Sequence, residues 1–268
     1  DCRRKADNYE PNIWELLMNY PDDFIDQIIC GDCLEVMKEI PNKSIDMILC
    51  DLPYGTTACE WDAVIPFEPL WEQYNRIIKD NGAIVLFGSE PFSTELRHSN
   101  LKMYKYDWVW NKKKAGNIFL AKYQPMKIHE NIMVFGKGTV SYYPIMVRRE
   151  KLKKSKNYGT GEVMGGNRQK EEAVYTYTHK NPVTILEFSN AAQKGKVHPT
   201  QKPVALFEYL IKTYTNEGDL VLDNCIGSGT TALACLQTNR HFIGIELSSE
   251  YCEIAKKRIR EIQPQLVF

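Results

Sequence analysis

Four short apolar runs in this chain each end in an acid, and helical spacing follows each of them. They are DQIICGD (26–32), SIDMILCDLPYG (44–55), DLVLDNCIGSG (219–229) and HFIGIEL (241–247). A buried strand followed by a helix, repeated, constrains the fold strongly. It argues for an open, mostly parallel α/β sheet with helices on both faces. The remaining segments fit that plan. Strands are expected at 83–89, 104–113 and 129–138. Helices are expected at 33–41, stopped by Pro41, and at 67–82, closing on Asn81-Gly82. Further helices are expected at 91–100, 202–215, 230–239 and 248–262, the last capped by Ser248 or Ser249. Ahead of residue 23, Trp14, Leu16 and Leu17 suggest a short helical stripe.

Composition narrows the class. The chain has 268 residues, 43% hydrophobic and 25% charged, which supports one large packed domain or a domain with an inserted lobe. No apolar run approaches the roughly 18 residues that would span a membrane, and no signal peptide is visible. The eight cysteines do not form a disulfide-type pattern and read as reduced core thiols. Cys30 and Cys33 form a C-x-x-C pair without a second pair or histidines at ligand spacing, so no metal site is expected. The net charge is +0, which neither supports nor excludes a polyanionic partner. The charge is uneven, however. Residues 139–197 hold eleven Lys and Arg against five Glu, a local excess of six positive charges.

Two stretches carry chemistry. In LDNCIGSGTT (222–231) a strand ends in Asp223, a turn holds Gly227 and Gly229, and a helix opens at Thr230. Glycines let a ligand approach the backbone, and the helix start offers free N–H groups. A turn of this kind also serves simply to join strand to helix. The next strand ends in Glu246, about 20 residues on, where an acid can accept hydrogen bonds from ribose hydroxyls. The third glycine of the dinucleotide fingerprint is absent, which points to another adenosine-bearing cofactor. In DLPY (51–54), Asp51 supplies acceptors, Pro53 rigidifies the turn so that the Leu52 carbonyl can face outward, and Tyr54 offers a flat ring. These parts could hold a planar group bearing an NH2. The same residues also make ordinary strand-end turns.

The two stretches together resemble the amino-methyltransferases that use S-adenosylmethionine. DLPY resembles their D-P-P-Y tetrapeptide, with Leu52 in place of the usual Pro. The catalytic motif comes first, the cofactor loop last, and a basic segment lies between, as in the beta class of DNA amino-methyltransferases. HPTQKP (198–203), GDCLEVMKEIPNKSIDMILCDLPYG (31–55) and HENIMVFGKG (129–138) are also similar to that family. The resemblance runs from about Ile28 to Ile262.

The resemblance implies a Rossmann-like, seven-stranded methyltransferase sheet in circularly permuted order. It implies a catalytic half at 24–138, an inserted basic target-recognition region at 139–197, and a cofactor-binding half at 198–268. Asp51, Leu52, Pro53 and Tyr54 would form the catalytic pocket. Asp223, Gly227, Gly229 and Thr230 would lie along the methionine part of the cofactor. Glu246 would take the ribose, Asp32 the adenine amine, and Thr200, Gln201 and Lys202 would close the methionine end. Arg148, Arg149, Lys151, Lys153 and Lys154, with Lys112, Lys113 and Lys114, are candidates for nucleic-acid contacts. The partner would be double-stranded DNA, with the target base flipped out. By analogy, a homodimer and a cognate restriction enzyme are further expected partners, in the cytoplasm of a prokaryote or encoded by a phage.

Asp51 resembles the adenine-N6 version of the motif more than the Ser common in N4-cytosine enzymes, so adenine N6 is the expected target, with cytosine N4 as the alternative. Methylation of RNA or of a protein amide is a second class, against which the chain order and basic insertion speak. A DNA-binding relic without activity is a third. Acids retained at 32, 51, 223 and 246 argue against it. No Pro is followed by Cys, as a cytosine-C5 nucleophile would typically require.

Overall fold

The computed structural model describes residues 19–55, 62–116, 118–156, 174–190 and 201–262. The stripe at Trp14, Leu16 and Leu17 lies outside them. In chain order the strands are β1 (Gln27–Cys30), β2 (Ile45–Cys50), β3 (Ile78–Gly88), β4 (Tyr104–Asn111), β5 (His129–Phe135), β6 (Val147–Lys156), β7 (Val174–Lys180), β8 (Ile185–Glu187), β9 (Leu220–Asp223) and β10 (His241–Glu246). The α-helices are α1 (Cys33–Val36), α2 (Phe67–Ile77), α3 (Phe92–Ser99), α4 (Val204–Tyr214), α5 (Thr230–Gln237) and α6 (Ser249–Ile262).

The main sheet runs β1-β10-β9-β2-β3-β5-β4-β8. From β1 to β3 every pairing is parallel, and β5 is antiparallel to both β3 and β4. Seven of these strands are the expected ones. The eighth is β8, which extends the edge by pairing with β4 through Val109, Trp110 and Asn111. The basic segment therefore returns a strand to the main sheet. Its β6 and β7 form a separate antiparallel ribbon.

Period-two alternation builds a core on each face. Ile45, Ile48 and Cys50 of β2, with Ile84 and Leu86 of β3, join a cluster with Leu70, Trp71, Tyr74 and Ile77 of α2. Met47, Leu49, Val85 and Phe87 face the other way, against Leu206, Phe207, Leu210 and Ile211 of α4. A helix over 67–82 is not what forms. Helix α2 stops at Ile77, and Asn81-Gly82 lie inside β3. The reason is a close approach. A Cβ at Gly82 would sit 2.8 Å from the Asp46 carbonyl and 2.7 Å from Ile78 Cδ1, so this glycine lets β3 close on β2 instead of capping a helix. Among the described residues no helix is long and apolar enough to cross a membrane.

Candidate active site

In a parallel sheet, ligands sit beyond the carboxyl ends of the strands. Four acids stand there on four neighbouring strands: Asp32 just after β1, Glu246 ending β10, Asp223 ending β9 and Asp51 just after β2. All four line one cavity of about 820 Å³, together with Leu52, Pro53, Tyr54, Gln201, Lys202, Gly227 and Thr230.

Three of these acids are fixed by the backbone two residues further on. Asp32 accepts the Leu34 N–H at 2.8 Å and thereby caps α1. Asp223 accepts the Cys225 N–H at 3.1 Å, and Glu246 accepts the Ser248 N–H at 2.9 Å. Glu246 also takes the Gly227 N–H at 2.8 Å. Asp223 accepts the Thr231 hydroxyl as well. Burial pushes the Asp223 carboxyl up to about 7, although hydrogen bonds from Thr231, the Cys225 backbone and Cys50 pull it down.

The glycine turn divides its work. Gly227 has φ +53°, and a Cβ there would meet nothing within 4 Å. Its open side is consistent with the lining position it holds in the cavity. Gly229 does not line the cavity. It enters α5 at φ +84°, and a Cβ there would lie 3.1 Å from Ala255 Cβ and 3.3 Å from Ala255 Cα. It therefore serves the packing of α5 on α6. Arg258 of α6 braces the same turn through the Ser228 carbonyl and, at 3.0 Å, the Ser228 hydroxyl.

Asp51 is held differently. The residue two further on is Pro53, which has no N–H to donate. Side chains take its place. The Tyr54 hydroxyl donates to Asp51 Oδ1 at 2.8 Å, and the Lys202 ammonium lies 2.5 Å from Asp51 Oδ2. Lys202 is also 3.4 Å from Glu130 Oε2, and Lys112 is 3.1 Å from Glu130 Oε1. The Lys202 side chain is only 8% exposed. Burial alone would lower its ammonium, but Asp51 and then Glu130 outweigh that and hold it above its ordinary value. Burial would raise the Glu130 carboxyl, but Lys202 and Lys112 outweigh it and hold it below its ordinary value. Two carboxylates and two ammonium groups form a neutral cluster, as burial demands.

These contacts adjust several expectations. Lys202, expected at the methionine end of the cofactor, has its charge on Asp51. Lys112, expected to reach nucleic acid, turns inward onto Glu130. Lys113 pairs with Glu187 at 2.9 Å, and Lys114 is exposed. The Tyr54 ring stacks on Phe92 at 5.0 Å, with the Lys202 ammonium 5.9 Å from its centroid, so it is not the free flat face the sequence suggested. Its turn is fixed by Asp62, which accepts the Tyr54 and Gly55 N–H groups at 2.8 and 3.0 Å. Gln201 is buried in the cavity wall. Thr200 lies outside the described residues. Arg148, Lys151, Lys153 and Lys154 are exposed on β6, while Arg149 is half-buried and donates to the His179 carbonyl at 3.1 Å. Glu130 was not singled out from sequence. Its one signal is an acid two residues before the apolar run IMVF.

The model of the N6/N4 DNA methylase family matches residues 45–257. This chain belongs to that family. The HinfI type II methyltransferase of Haemophilus influenzae is 31% identical over 271 residues, covering 91% of this chain and 70% of the relative. The HpaI type II methyltransferase of Haemophilus parainfluenzae is 29% identical over 248 residues, covering 87% and 74%. Among solved structures, M1.HpyAVI with SAM matches at a TM-score of 0.58 and 27% identity, covering 87% of this chain and 98% of that one. The PvuII cytosine-N4-specific DNA methyltransferase matches at 0.62 and 17% identity, covering 89% and 91%, a likeness of fold alone.

The enzyme is thus a DNA amino-methyltransferase with a Rossmann-like fold, and its cofactor is S-adenosylmethionine. The cavity suits that molecule. It offers carboxylates for amine and hydroxyl donors, an open glycine turn, and a volume within the usual range for small-ligand sites.

Proposed function

We propose that this methylase modifies the exocyclic N6 of adenine in double-stranded DNA, with the base flipped into the cavity beside Asp51. The observation that carries the reading is the Asp51 carboxylate. It stands on the wall of the cofactor cavity, one strand from Asp223, held by side chains and not by its own backbone. When bound, S-adenosylmethionine supplies an activated methyl group. The protein's part is to make a poor nucleophile reactive. An exocyclic amine delocalises its lone pair into the ring. Asp51 and the Leu52 carbonyl would accept its N–H groups, favour a tetrahedral nitrogen and stabilise the positive charge it develops. Each carboxylate oxygen of Asp51 keeps a lone pair beyond its present partner, so Tyr54 and Lys202 need not leave. Glu130 restores the negative charge that Lys202 offsets at Asp51. After transfer, Asp51 is placed to receive the proton the amine sheds.

Asp32, Glu246, Asp223, Gly227, Thr230 and Gln201 would hold the cofactor. Gly229 would act through the helix it admits. The insertion 139–197 would serve as the target-recognition region between the halves 24–138 and 198–268. Arg148, Arg149, Lys151, Lys153 and Lys154 on the β6–β7 ribbon, with Lys113 and Lys114, would meet phosphates. Relatives named as type II methyltransferases support a cognate restriction enzyme as partner, whereas a homodimer rests on family resemblance.

The test is to incubate the protein with S-adenosylmethionine and mixed-sequence duplex DNA, digest to nucleosides and analyse by mass spectrometry. N6-methyladenine is expected, and Asp51→Ala should lower its formation by about 10²–10³-fold while cofactor binding persists. N4-methylcytosine would keep the pocket and overturn the base.

A further inference from the structure

The segment between β4 and β5 leaves the sheet at its carboxyl edge, the edge that carries Asp51. Because β5 is antiparallel to its neighbours, β4 ends and β5 begins there. The base of the segment is closed by hydrogen bonds from the Lys112 N–H to the Ile128 carbonyl at 2.9 Å and from the Gly116 N–H to the Lys127 carbonyl at 2.8 Å. Lys112 and Glu130, at its two ends, belong to the charge cluster around Asp51.

Every residue from 118 to 126 is exposed. Two of them carry large rings, Phe119 at 93% and Tyr123 at 85% exposure. They sit on an ordered turn. A 3-10 helix spans Ile118–Leu120, and the Tyr123 and Gln124 N–H groups donate to the Leu120 carbonyl at 2.9 and 3.0 Å. Residues 112–128 hold five lysines and no acid; Lys112 and Lys113 pair with Glu130 and Glu187, while Lys114 and Lys122 are exposed. An exposed apolar knob of this size marks a contact surface, and the basic flanks call for a polyanion with apolar faces between its charges. Stacked bases between phosphates have that character.

We propose that Phe119 and Tyr123 are the wedge that enters the base stack of duplex DNA and fills the place of the base extracted toward Asp51. This rests on the duplex-DNA reading above. Extracting a paired base costs unpairing and unstacking, and rings that stack in the gap would offset that cost. A wedge of this kind matters only while the target base is paired.

The double variant Phe119→Ala/Tyr123→Ala tests it, because exposed side chains can be removed without opening the core. The methylated position in random duplexes is first mapped with the wild type. Methyl transfer is then followed on that duplex, and on the same duplex with an abasic site opposite the target. The expected result is a loss of kcat/KM of about tenfold or more on the paired duplex, recovering to within about twofold on the abasic one. Cofactor binding and thermal midpoint should stay at wild-type values. No loss on the paired duplex, or an equal loss on both, would overturn the wedge. Loss that follows a drop in sedimentation mass would also overturn it, making the surface a contact between two copies of the chain. Failure of the wild type on every duplex would overturn the DNA reading itself, and is seen before any variant is compared.

Discussion

The two walls of the cavity hold their acids by different means. On the wall formed by β1, β10 and β9, Asp32, Glu246 and Asp223 each accept an N–H two residues on. Those bonds are local and form with the turn itself. On the wall formed by β2, Asp51 has no such donor, because Pro53 stands where it would be. It is held by Lys202, 151 residues away in the chain, which Glu130 steadies. Backbone-held acids are fixed and suit a ligand that must lie in one place. A side-chain-held acid keeps its orientation open to partners, which suits a group that must respond as charge develops on a substrate.

Removing the long-range partner should have the largest effect. Lys202→Met leaves the partly buried Asp51 without its ammonium partner and Glu130 with Lys112 alone, and stability should fall by about 3 kcal/mol or more in urea unfolding. Adding Glu130→Gln should recover part of that loss. A change below about 1 kcal/mol would mean that Asp51 does not depend on the pair. Next comes Pro53→Ala, which supplies the missing donor and should draw Asp51 into the backbone-held class. A fall in kcat of about tenfold is expected, with KM for the cofactor unchanged, since one mispaired acceptor is worth that order. Hydrogen exchange should show the new amide at position 53 to be protected. A rapidly exchanging amide there would refute the distinction between the walls.

The last prediction concerns pH. Burial raises the Asp223 carboxyl from its ordinary 3.8 to about 7, so the folded protein retains a proton that the unfolded chain releases. The stability this gives is full below about pH 4 and is lost as pH rises through about 7. Asp223→Asn stays neutral and should show a flatter decline of thermal midpoint across that range than the wild type. Parallel curves would remove Asp223 as the source.

How much of this was legible in sequence follows the same division. The strand ends, the acids and the glycine turn were readable because their determinants lie within a few residues of each other: an apolar run, an acid, a turn residue. For the same reason DLPY stood out. The Lys202–Glu130–Lys112 cluster was not readable, since no local pattern says which lysine folds inward. Lys112 looked like one of three equivalent bases in NKKK until β4 and β5 paired and placed Glu130 opposite Trp110, diagonally within reach of Lys112. The end of α2 was misjudged at Asn81-Gly82 because a glycine needed for strand approach looks, in sequence, like a glycine that caps a helix. β8 was missed because three residues carry no periodicity. It exists only through its pairing with β4.

The order of the four acids across the sheet works as a ruler. Reading β1, β10, β9, β2, the residues proposed to meet adenine, ribose, methionine and methyl acceptor stand at the ends of successive strands. Neighbouring strands lie about 4.8 Å apart, so the four strands span about 14 Å across the sheet in three steps, while the acids stagger along it, Asp223 level with Gly244 and Glu246 level with Cys30. Those steps are set by hydrogen bonds between backbones and not by any side chain. Mutation can retune each mark on the scale, by changing an acid or its partner. The spacing between the strands that carry the marks belongs to the sheet.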